Sequence, residues 1–201
     1  VKEGGSDPDM NFTLRLQIEK AKAVNMPKDN IERAIARGTG ESGEAELQLV
    51  TFEGMAPGGV AVIIEALTDN NNRTFPNVKT YFTKNGGNMD AKVMWQFDRK
   101  GVVRGKLTGE LGDEDELALI EAGAEDINLT DGEVTIIGAI PDLQTVEAAA
   151  AKAGVKVESA DLEYIPNTIV ELDDAALERL ADFVEILEDD DDVNTVYTNA
   201  A

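Results

Sequence analysis

Cationic side chains at helical spacing are the residues of this chain whose types and positions could do chemistry. Arg33 and Arg37 lie one helical turn apart in N-M-P-K-D-N-I-E-R-A-I-A-R-G (25–38), Lys28 precedes them, and Arg15 and Lys22 sit in the segment before. Guanidinium forks match phosphate oxygens two at a time, and lysine or arginine on one helical face releases counterions when it neutralises phosphates. Such a face reads either as a phosphate-contacting surface or as a solvated helix surface. A second polar cluster, Asn70-Asn71-Asn72-Arg73-Thr74, stands between an apolar run and a helix start. There Asn72, Arg73 and backbone N–H groups could meet an anion, or the cluster could be a capping loop with Thr74 as the N-cap.

Other chemistries are excluded or disfavoured by what the chain lacks. It has no cysteine and no histidine, which removes disulfides, thiolate zinc sites, imidazole metal sites and Ser-His-Asp triads. The run Glu188–Asp192 lacks the glycine and alternating spacing of a calcium loop and reads as a solvated turn. The remaining carboxylates fall on helix surfaces and turns, with no convergent set for metal-assisted hydrolysis. Pro57-Gly58-Gly59 lacks the Lys-Ser/Thr of a phosphate loop and joins strand to strand, so it reads as a turn. Trp95 could stack a base, but its alternation with Val93 and Phe97 places it in a core. No catalytic residue, metal or cofactor is expected.

Charge is strongly segregated. The net charge is −22, yet residues 11–40 carry six Lys and Arg against three Asp and Glu, whereas residues 105–201 carry four against 26. One end of the molecule could receive a polyanion that the other would repel. No apolar run approaches bilayer length, and Val1 opens neither a signal peptide nor a myristoylation motif. A cytoplasmic, monomeric protein without a membrane partner is expected.

The elements that must position these residues follow from periodicity. Phe12, Leu14, Ile18, Ala21 and Val24 recur as on a helix, Asn25-Met26-Pro27 breaks it, and Ile31, Ala34 and Ile35 define a second helix that Gly38 stops. A linker, 39–45, follows. Leu47–Phe52 and Val60–Leu67 read as a hairpin closed by a turn over 54–59, the second strand apolar enough to be buried on both faces. A helix follows over 74–84, with Phe75, Val78 and Phe82 on its inner side, and then a strand at Val93–Phe97. Strands at 102–106, 126–129, 134–137 and 155–164, with helices at 113–122 and 142–153, give the order β-α-β-β-α-β of a ferredoxin-like sandwich. The tail adds a strand at 168–172, a helix at 174–187 with Leu177, Leu180, Ala181, Val184 and Leu187 inward, and a strand at 193–198. The fold class expected is α+β: a helical domain (1–45), a discontinuous α/β domain (46–100 plus 167–201), and a second ferredoxin-like domain (101–166) inserted into it.

The run G-M-A-P-G-G-V-A-V-I-I-E-A-L-T-D-N-N-N-R-T, the helix ending in K-N-G-G-N, the closing F-D-R-K-G, and the upstream V-K-E-G-G-S-D-P-D and N-M-P-K-D-N-I-E-R-A-I-A-R-G resemble the YebC/PmpR family over nearly the whole chain. The resemblance implies the same three-part organisation and a non-enzymatic regulator of gene expression. The partners it implies are RNA and the ribosome, with DNA and transcriptional control as the alternative, and a mitochondrial location for an organelle homologue. On that reading Arg15, Lys22, Lys28, Arg33, Arg37, Asn72 and Arg73 are the expected nucleic-acid contacts. Two departures stand out. Family members normally open with a basic segment containing G-H-S-K-W, which would precede Val1, so the helical domain is expected to be truncated. The M-D-A-K stretch (89–92) is also shorter than the family's Gly/Ser-containing loop.

Overall fold

The computed structural model describes all residues except Glu3, Ser42, Glu44 and Ala201, and describes the backbone but not the side chain of Phe12. The expected packing of Phe12, and the linker positions 42 and 44, therefore lie outside the described residues. The chain divides into two compact units, Val1–Ser42 with Arg99–Glu163 and Gly43–Asp98 with Tyr164–Ala201.

The first unit begins with a helical pair, α1 (Phe12–Ala23) and α2 (Lys28–Thr39). Asn11 caps α1: its Oδ1 accepts the Leu14 N–H at 3.0 Å and its Nδ2 donates to the Gly5 carbonyl at 2.8 Å. Helix α2 runs past Gly38, because the residue that adopts the left-handed conformation is Gly40 (φ 80°), whose N–H bonds the Ala36 and Arg37 carbonyls. The rest of the unit is β3 (Phe97–Lys106), α4 (Asp113–Glu121), β4 (Ala124–Thr130), β5 (Glu133–Gly138), α5 (Leu143–Lys152) and β6 (Lys156–Pro166). β3 and β6 each carry the chain across the boundary between the units. The strand order β4-β5-β3-β6, with β5 antiparallel to both neighbours, is the ferredoxin-like arrangement. Asp131 (φ 53°) and Gly132 (φ 82°) close the β4–β5 hairpin with two successive positive φ values, the geometry that matches strand twist. Val103, Leu119, Val134, Ile136, Val146 and Ala150 form the core. The Thr13 hydroxyl on α1 donates to the Ala160 carbonyl of β6.

In the second unit β1 (Gln48–Ala56), β2 (Val60–Thr68) and β7 (Val193–Thr198) form an antiparallel sheet in that order, joined by α3 (Asn71–Lys84) and α6 (Asp174–Glu188). β2 is buried on both faces. Val60, Val62, Ile64 and Ala66 meet Val78, Phe82, Phe183 and Leu187, while Ala61 and Ile63 meet Val93 and Phe97. Phe82 and Phe183 pack edge to face, centroids 5.0 Å apart.

Several local expectations are corrected. β1 extends to Ala56, so the turn is only Pro57–Gly59. Gly54 lies within the strand, at a place where a Cβ would stand 2.6 Å from the Phe82 ring. Val93–Phe97 is not a strand. Met94–Gln96 forms a single 3₁₀ turn, and β3 begins at Phe97 and runs unbroken to Lys106. The turn breaks the two-residue alternation that would put all three on one face, so Val93 and Phe97 are buried while Trp95 between them is exposed. At 168–172 only one parallel bridge forms, Val170 to Ala200. On α6 the inward residues include Phe183, drawn in by Phe82, while Ala181 and Leu177 are exposed. Phe75 is also exposed, tilted against Phe52.

Candidate nucleic-acid interface

The helical pair positions five of the expected contacts. On α2 Ile31 is buried, and Arg33 and Arg37, four residues apart, lie on the side away from it. Arg33 is exposed, whereas Arg37 is half-buried and engaged within the protein. Lys28, at the start of α2, bonds Glu32 one turn on at 3.0 Å, and this hydrogen bond and the Glu32 charge raise its pKa. Both partners are largely exposed, so the pair is weak and opens to a competing anion at little cost. On α1 Arg15 is half-buried; its Nη1 donates to the Pro8 carbonyl at 3.3 Å and its charge faces Glu147, whose pKa burial nonetheless raises. Lys22, seven residues on, is exposed. Lys20, which the periodicity sets off the apolar stripe, is exposed too. Among the described residues Lys20, Lys22 and Arg33 make no ion pair. The structure thus sorts the expected cations into available ones (Lys22 and Arg33, joined by Lys20), one held loosely (Lys28), and two already engaged (Arg15 and Arg37).

The polar cluster at 70–74 is not a loop. It is the first turn of α3, and the N-cap is Asn70, not Thr74: Asn70 Oδ1 accepts the Arg73 N–H at 3.2 Å. Asn72 is exposed in that turn. Arg73 does meet an anion, but one from its own chain. Its Nη2 lies 2.8 Å from Asp192 Oδ1 and 3.2 Å from Asp69 Oδ1. Thr74 is buried, and its hydroxyl bonds Asp192 at 2.6 Å and Thr68 at 2.8 Å. Burial would raise the pKa of Asp192, but hydrogen bonds from Arg73 and Thr74, the Arg73 charge and the Thr68 hydroxyl outweigh it and hold the carboxyl below its usual range.

The acidic run before β7 is accordingly not simply a solvated turn. Asp190 accepts the Tyr81 hydroxyl at 3.0 Å and the Asp192 N–H at 3.0 Å, and the Asp192 carbonyl accepts the Leu67 N–H at 2.8 Å. Alternate acids point inward and fasten α3 to the end of α6. The tyrosine and threonine partners lie more than a hundred residues away, so no local sequence signal marks them. The core position expected for Trp95 fails for the opposite reason: a local alternation that looks like a strand is in fact a turn. Among the described residues no helix is long and apolar enough to cross a membrane.

Comparison with known proteins adds to this geometry. Residues 1–41 match the profile of the TACO1/YebC protein N-terminal domain, and residues 47–200 match that of the TACO1/YebC second and third domain. A probable transcriptional regulatory protein of Herpetosiphon aurantiacus is 48% identical over 99% of this chain and 80% of its own length. One of Bacillus subtilis, bearing the same description, is 42% identical over 99% of this chain and 84% of its own. The crystal structure of a conserved hypothetical protein from Aquifex aeolicus superposes with a TM-score of 0.83 at 39% identity, covering all of this chain and 84% of that one.

Proposed function

Because this chain belongs to the TACO1/YebC family, we propose that it is a non-enzymatic nucleic-acid-binding regulator of gene expression, acting on RNA at the ribosome. The observation that carries the reading is the helical pair. Lys20, Lys22 and Arg33 are exposed there without ion pairs among the described residues, in a chain whose second half is overwhelmingly acidic. Such a surface suits phosphate backbone, and the acidic remainder limits how much of a polyanion can lie along the molecule. Contacts of this kind position a protein on its target without reading sequence.

The second reading, control of transcription through DNA, is favoured by the description of the relatives as probable transcriptional regulatory proteins. RNA is preferred because the long acidic half of the chain, four Lys and Arg against 26 Asp and Glu over residues 105–201, would repel an extended DNA duplex. Co-sedimentation with ribosomes at moderate salt tests the proposal. Lys22→Glu with Arg33→Glu abolishes association if the helical pair is the contact, and unchanged association contradicts it. In-cell crosslinking followed by sequencing of bound RNA and bound DNA separates the two readings by the dominant species.

A further inference from the structure

Trp95 is the single tryptophan of the chain and is 77% exposed. Its turn is fastened on both sides. One oxygen of Glu53, on β1, accepts the Val93 and Met94 N–H groups at 2.8 Å each, and the other lies 3.0 Å from the Lys92 ammonium. Beyond the indole, the Gln96 carbonyl accepts the Asn167 N–H at 2.8 Å, and Gln96 Oε1 accepts from Asn199 Nδ2 at 3.3 Å. Val93 and Phe97 anchor the turn in the core beneath. The indole N–H donates to the Lys92 carbonyl at 3.0 Å, so the one polar atom of the side chain is used inside its own turn.

What remains for solvent is a rigid π surface with Met94 beside it. A tryptophan that anchors a protein partner typically carries its N–H into the interface, whereas one whose N–H is satisfied at home offers stacking alone. One cation adjoins it: Lys92, in the same turn, has a side chain 79% exposed, and its pair with Glu53 lies at the surface end of that contact, where a phosphate could compete for it.

We infer that Trp95 is a stacking platform for an unpaired nucleobase of a single-stranded nucleic acid, with Lys92 beside it for the adjoining phosphate. The inference rests on the nucleic-acid reading above and adds to it a contact in the second unit. Stacking of this kind tolerates any base, because every base has a π face.

A single tryptophan makes the test direct, since intrinsic emission reports on Trp95 alone. The full chain is titrated with an end-labelled single-stranded RNA of about 12 nucleotides, a length that spans one single-strand site, and with an abasic ribose-phosphate oligomer of equal length. Label anisotropy follows binding and indole emission follows stacking. The base-bearing oligomer quenches the emission and the abasic one does not. Trp95→Ala weakens binding by about tenfold, as loss of one stacked base does, while Trp95→Phe keeps most of it. Unchanged emission at saturating RNA, or wild-type binding by Trp95→Ala, overturns the inference. If Lys22→Gln with Arg33→Gln weakens binding while Trp95→Ala does not, the platform fails and the helical-pair reading stands. If quenching and the Trp95→Ala loss are seen but the helical-pair variant binds normally, the platform stands and the helical-pair reading fails. RNA bound by none of these proteins overturns both.

Discussion

Asp192 gathers Arg73, Thr74 and Thr68 on one carboxylate whose side chain is 13% exposed. Replacing it by asparagine removes the charge that three donors point at, and a hydrogen bond to a charged group is worth about 1.5–3 kcal/mol. Asp192→Asn is therefore expected to lower unfolding stability by about 2 kcal/mol, measured by urea denaturation. The same carboxyl sets a pH dependence. Its pKa is depressed in the folded protein, so its stabilisation is complete above the ordinary carboxylate range and is lost as pH falls through the depressed value. Glu53 behaves likewise: burial opposes its ionisation, but the Met94 N–H, Lys92 and the Val93 N–H outweigh that and depress its pKa. Urea midpoints measured from neutral pH into the acid range should fall for the wild type and fall less steeply for Asp192→Asn. A parallel decline would remove Asp192 as the cause.

Two positions test how the elements are built. A Cβ on Gly54 would stand 2.6 Å from the Phe82 ring, at the place where β1 crosses α3. Gly54→Ala should cost about 1–3 kcal/mol through overpacking, read as a lowered Tm, and Phe82→Leu in the same chain should recover part of the loss. At the start of α1, Asn11→Ala removes the cap of the Leu14 N–H and the bond to Gly5, an expected loss of about 1 kcal/mol, also read by thermal unfolding. Helices and strands with strong periodicity were legible in the sequence: the β-α-β-β-α-β order, the break at 25–27 and the doubly buried β2 all follow from apolar spacing. Where the pattern misled, a distant partner had decided the matter. Glu53 bends 93–96 into a turn, Phe82 selects Phe183 as an inward residue of α6, and Asn70 takes the cap that Thr74 was expected to supply because Asp192 claims the threonine.

At the scale of the whole molecule the charge distribution was readable from residue counts, and the family from long motif matches, but the state of each cation was not. Composition could not distinguish Arg33, exposed and unpaired among the described residues, from Arg73, which is spent on Asp192 and Asp69. That difference is what makes the helical pair the centre of the account. The measurement that tests it most directly is the salt dependence of RNA binding, wild type against Lys22→Gln with Arg33→Gln. If these two side chains neutralise phosphates, the variant binds more weakly and the slope of log K against log salt falls in magnitude by about 1.4, roughly 0.7 per lost contact on a single strand. Equal affinity and an equal slope would contradict the account.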